Sequence, residues 1–160
     1  WRRHVIKFTY SKNLMTAAGI TSGSVIKKLR IYVTNAISST YQPFPDYSIS
    51  LKNSTSGASS NPGTSGWSQV KGRHSFSATS TGWKEFDISD FTYTGNTLCF
   101  SFSWGQIPYS YTSDGQSYVF SDSGDAYAWS SRTDSSGYYT HSSSASSSIH
   151  SYVPRVDMFF

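Results

Sequence analysis

Between Leu98 and Trp104 the chain alternates without a break. Leu98, Phe100, Phe102 and Trp104 share one parity, and Cys99, Ser101 and Ser103 share the other. A period of 3.6 would scatter those rings around a helix axis, whereas a strand, whose side chains leave on alternate faces, sorts them completely. The pattern predicts a strand packed on one side.

The same period recurs along the chain. Residues 3–10 (RHVIKFTY) predict a first strand. Over Val25–Thr34, Leu29, Ile31 and Val33 point one way and Lys28, Arg30 and Tyr32 the other. Tyr47, Ile49 and Leu51 repeat the alternation after a Pro43–Pro45 break. Further short strands are expected at Trp67–Val70, His74–Ala78, Trp83–Ile88, Ser117–Ser121, Ala126–Ser130 and Gly137–His141. Val156, Met158 and Phe160 alternate at the C-terminal end, where a last strand is expected to lie beside the first, with Pro154 at its start or on an edge. The single helical signal is SKNLMTAA at residues 11–18, with Ser11 as N-cap and Gly19 as stop. Two turns cannot stand alone, so Leu14 and Met15 are expected to close one end of a β core. Residues 53–66 read as a Gly/Ser/Pro loop, and 141–151 as a Ser-rich loop or tether.

Short strands between turns, with no βαβ spacing, predict an all-β fold: a two-sheet antiparallel β-sandwich, jelly-roll-like, with one short helix. The 160 residues suit a single domain over 1–160. A chain starting at Trp1 is read as processed, or as a piece of something larger. No apolar run is long enough for a membrane helix, so no membrane insertion is expected. Serine supplies roughly a fifth of the residues, far above its ordinary share. Charged residues make up only 14% and aromatic residues 17%, a richness in rings that disordered chains lack. A surface kept soluble by hydroxyls is associated with secreted, adhesive and virion-surface proteins. Cys99, the one cysteine, can form no intrachain disulfide and is read as a buried, inert thiol. The net charge of +4 comes from scattered basic residues, so no nucleic-acid partner is expected.

The stretch 8–35 resembles a pattern of secreted modules of Bacteroidetes-type bacteria, Y-S/T-x-x-x-L-x-x-A-G-I/L-x-x-G-x-I. Tyr10, Ser11, Ala18, Gly19, Ile20 and Gly23 occupy its places, with Leu14 and Ile26 one residue away from the places of its Leu and last Ile. Later family strands are similar to Tyr47, Ile49, Leu51, Asn53 and Ser54, then to Gly82, Trp83, Phe86 and Ile88, then to Phe91, Tyr93, Gly95, Leu98 and Phe100. The match covers about residues 8–104. The resemblance implies a β-sandwich accessory module of surface adhesins, exported enzymes and related phage structural proteins, with no catalytic residues to carry over. Where the family commonly has W-D-G, this chain has Tyr93-Thr94-Gly95, so any role of that Asp has no counterpart here.

Catalytic signatures do not stand out. A glycosidase needs two carboxylates across a cleft, one of them desolvated; a spatial pair such as Glu85 with Asp157 is conceivable, but nothing singles it out. The four histidines have no metal-ligand spacing, and there is no G-x-S-x-G turn around a nucleophile. Asp122 and Asp125 flank a glycine turn that weakly suggests a cation site, with a plain β-turn preferred. No cofactor is expected, and the chain is read as a non-enzyme. Asn53-Ser54-Thr55 is a glycosylation acceptor by pattern in a host that has the machinery.

The rings beyond Trp104 carry the binding expectation. Tyr109, Tyr111, Trp129, Tyr138 and Tyr139 lie among Ser, Asp and Gly, a mixture that offers flat stacking faces with adaptable hydrogen bonds. Arg132 and Asp134 would add polar contacts. The functional expectation is an extracellular binding or adhesion module for a glycan or a cell surface, at a cell or virion surface. The alternative is a structural subunit of a fibre, appendage or virion, assembling with sister subunits through the same face.

Overall fold

A computed structural model describes residues 3–34, 36, 43–105, 126–133, 140, 143–145, 149–150 and 154–160. Among them are nine strands and one helix, in two antiparallel sheets. The all-β sandwich expectation holds.

The larger sheet has the order β4-β3-β6-β1-β7-β8: Ser68–Phe76, Phe44–Ser54, Thr97–Trp104, Arg3–Tyr10, Ala126–Thr133 and the two-residue Ile149–His150. The smaller sheet is β5-β2-β9: Gly82–Thr92, Val25–Val33 and Val156–Phe159. The chain switches sheets between β1 and β2, β2 and β3, β4 and β5, β5 and β6, and β8 and β9, so that the inner faces of both sheets meet in one core.

That core is built from rings. Phe8 stacks on Phe100 at 4.6 Å between centroids and meets Phe102 edge-on at 5.2 Å. Tyr47 on β3 reaches across to Phe86 on β5 at 5.7 Å, joining the sheets directly. Aromatic pairs of this kind add about 0.5–1.5 kcal/mol each beyond the area they bury.

The helix α1, Lys12–Ala17, closes one end as expected, with Met15 buried and Leu14 packed against the core. Ser11 Oγ accepts from the Leu14 N–H at 3.1 Å. At the other end Gly19 takes φ +79, while the Gly19 and Ile20 N–H groups donate to the Thr16 and Met15 carbonyls. This double closure satisfies carbonyls that a six-residue helix would otherwise leave bare. The following turn docks on the one before β6: Gly23 N–H donates to Tyr93 O and Tyr93 N–H to Ser24 O.

Several expectations change. The serine parity of β6 is buried as fully as its aromatic parity, so the strand is packed on both sides. The two strands expected at Trp67–Val70 and His74–Ala78 are one strand, β4, which follows β3 through irregular register. Of the Pro43–Pro45 break, Pro43 precedes β3 and Pro45 falls inside its start, where the register shifts and Asp46 takes φ 54; a bulge tolerates a proline that a regular ladder would not. Ile149–His150, in the tract expected to be a tether, pairs with Ala128 and Trp129. The last strand lies beside β2 rather than β1, because its alternating Val156 and Met158 complete the inner face next to Ile31 and Leu29. Tyr10 ties β1 to it nonetheless: its hydroxyl donates to Pro154 O and accepts from the Val156 N–H. The strand expected at Ser117–Ser121 lies outside the described residues, as does all but Thr140 of the one expected at Gly137–His141.

Candidate functional site

The sandwich has two outer faces, and they differ in kind. On the larger sheet, Val5, Lys7 and Thr9 of β1, Cys99, Ser101 and Ser103 of β6, and Ser48 and Ser50 of β3 point away from the core, yet all are buried. The Gly/Ser/Pro loop lies over Lys7 and Thr9, pinned through its carbonyls. Lys7 Nζ donates to Gly63 O at 2.6 Å and to Ser143 O at 2.7 Å. Thr9 Oγ1 donates to Ala58 O and Lys52 Nζ to Pro62 O, each at 2.6 Å. The ammoniums of Lys7 and Lys52 also sit 5.4 and 5.8 Å from the Trp67 ring centroid. Ser48 and Ser103 satisfy each other at 2.9 Å. Burial, reinforced by the Lys52 charge, lowers the Lys7 ammonium to a pKa of about 8. Burial pushes the Cys99 thiol up to about 12, far from the thiolate that reactive cysteines need. Lys7 is wholly inaccessible, so this roofed face is architecture.

The outer face of the smaller sheet lies open. Register sets three rows across β5, β2 and β9. Trp83 pairs with Tyr32, and Arg155 lies one step beyond the Ile31–Val156 pair. Glu85, Arg30 and Asp157 form the second row, and Asp87, Lys28 and Phe159 the third. Trp83 meets Tyr32 edge-on at 5.2 Å. The Arg30 and Arg155 guanidinium carbons lie 4.3 and 5.0 Å from the Trp83 ring centroid, and Arg30 is also 5.0 Å from that of Phe159. Arg30 donates from Nε and Nη2 to one oxygen, Asp157 Oδ2, at 2.9 and 2.7 Å. Lys28 approaches Glu85 at 3.4 Å and Asp87 at 3.7 Å.

Glu85 and Asp157, the carboxylate pair conceivable from sequence, do share a row here, separated by Arg30. Both are ion-paired on a partly exposed, flat surface. A general acid instead needs an apolar surrounding to keep its proton, so the arrangement suits fixed charge and hydrogen bonding. Among the described residues no group of three or more His, Cys, Asp or Glu could hold a metal ion.

The sequence-predicted site residues fare differently. Tyr109, Tyr111, Asp134, Tyr138 and Tyr139 lie outside the described residues, as do Asp122 and Asp125. Arg132 is on β7 opposite His4. Trp129 pairs with Lys7 beneath the roof and is 2% exposed, which leaves no ring face for a ligand. Asn53 uses both ends of its amide: Nδ2 donates to Thr92 O at 2.9 Å and Oδ1 accepts from the Thr94 N–H at 3.1 Å. Sequence reasoning missed the open face. Its signal was there in the outward parity of Lys28, Arg30 and Tyr32, but which strands flank them cannot be read from local alternation.

No protein-family model matches the chain, and neither a curated protein nor a solved structure matches it.

Proposed function

We propose that the chain is a non-catalytic, extracellular binding module that recognises glycans on the outer face of its smaller sheet. The observation that carries this reading is the open row of Trp83, Tyr32 and Arg155 beside Glu85, Arg30 and Asp157. Rings supply apolar area at little conformational cost, and adjacent charged side chains hydrogen-bond hydroxyls with defined direction. The hydroxyl-rich composition and the resemblance to surface modules support an extracellular setting. Binding to a glycan array is expected, with Trp83→Ala and Tyr32→Ala each weakening affinity at least tenfold by calorimetry.

A second reading, assembly with sister subunits, draws on a different observation. Phe159 and Phe160 are 37% and 56% exposed, at the end of an edge strand, and exposed apolar edges invite pairing. A stable homo-oligomer in light scattering, with no glycan signal, would replace the first reading by this one.

A further inference from the structure

We infer that the glycan this face takes is carboxylated, a uronic-acid-type sugar, and that Arg155 is its anchor. The inference rests on the binding reading above and adds the ligand's charge class.

The charges of the open face do not cancel locally. Lys28 is held by Glu85 and Asp87, and Arg30 by Asp157. Arg155 is exposed and forms no ion pair with any described carboxylate, although it stands at the corner of the aromatic row. Its guanidinium carbon lies over the Trp83 ring, 5.0 Å from the centroid; a guanidinium that rests on a ring uses its face and keeps the N–H donors of its edge available. That is the geometry in which arginine receives a planar carboxylate through two parallel hydrogen bonds. The ring also restrains the side chain, so a pairing there gives up less side-chain freedom than one with an unsupported arginine.

The neighbouring groups fit the rest of such a sugar. Both Arg30 donors close on Asp157 Oδ2, so Oδ1 retains its lone pairs and can accept from a ring hydroxyl. Glu85, in the same row on the exposed β5 strand, offers a second acceptor. The half-exposed Tyr32 gives an apolar surface between the two corners. Three strands at about 4.8 Å spacing set the row's ends roughly 10 Å apart, room for a sugar ring and its substituents. A neutral sugar would leave Arg155 without an ionic partner among the described residues.

The test uses the full chain and a panel of oligogalacturonides, their methyl esters, sulfated oligosaccharides and neutral oligosaccharides, titrated calorimetrically. Oligogalacturonide is expected to bind at least tenfold more tightly than its methyl ester, with affinity falling as salt rises. Arg155→Gln should abolish that preference, so that acid and ester bind the variant with equal affinity. Arg155 is exposed, so this variant is expected to fold. Equal affinity for acid and ester, no effect of Arg155→Gln on the acid, or a sulfated ligand binding more tightly would each overturn the carboxylate assignment and leave a glycan-binding module standing. Absence of binding to every member of the panel would overturn both.

Discussion

Lys7 holds an ammonium where water does not reach, next to a second ammonium, and among the described residues it meets two carbonyl oxygens and the Trp67 ring, with no carboxylate to pair with. Its pKa of about 8 when folded lies below the 10.5 of a free lysine. Between those values the unfolded chain carries a proton that the folded chain has released, so stability rises with pH across that window. At 1.36 kcal/mol per pH unit the full effect is at most about 3 kcal/mol. Below pH 8 both states are protonated and the slope vanishes. Denaturant unfolding from pH 7.5 to 10 is therefore expected to show wild type gaining stability relative to Lys7→Met, whose own curve lacks this contribution. Parallel curves for the two proteins would mean that Lys7 is hydrated in the native state. Sequence alone places Lys7 on the polar parity of β1, where a lysine reads as solvated. Alternation reports which side of a strand is polar, and a buried polar side that is hydrogen-bonded looks identical to an exposed one.

Among elements, the turn joining β5 to β6 and the turn after α1 hold each other by two backbone hydrogen bonds. Gly95 sits at their contact with φ +88, where an added Cβ would come within 2.9 Å of Ser22 Cβ. Gly95→Ala combines left-handed strain with a clash and is expected to cost about 1–3 kcal/mol. Gly57→Ala, with open space around it and no positive φ, should be neutral or slightly stabilising. Similar melting temperatures for the two variants would show that the turns move apart easily. Much at this scale was legible: β1, β2, β6 and the capped helix follow from period and capping residues, and the motif positions Gly19, Gly23 and Tyr93 prove to be where these turns close and meet. The pairing of β9 with β2 was not legible, because both edges of the small sheet accept the same apolar parity. Nor was the open face, which exists only once β5 and β9 flank β2.

Taken whole, the molecule has a sealed side and an open side. Cys99 reports on the seal, since it lies under the roofed face, 1% exposed, with its thiol held protonated by burial. Labelling by a thiol reagent at pH 8 is expected to proceed only at the rate of global unfolding, and to slow in step when the fold is stabilised. Rapid labelling in native buffer would instead mark local lifting of the loop over residues 57–67. The open side needs no such motion, and binding there is expected to leave Cys99 labelling no faster.

The partnership of β2 with β9 also sets a timetable. Residue 33 leaves the ribosome 126 residues before residue 159, an interval of about 6–25 s at ordinary synthesis rates. Through that interval one edge of β2 has no neighbour, and Ile26, Leu29, Ile31 and Val33 make it adhesive. Lys27, Lys28 and Arg30 lie within the same segment, and interspersed like charges discourage strangers from pairing with an unfinished strand. Two of the cations that later furnish the finished surface thus first serve as the nascent chain's guard against its own neighbours.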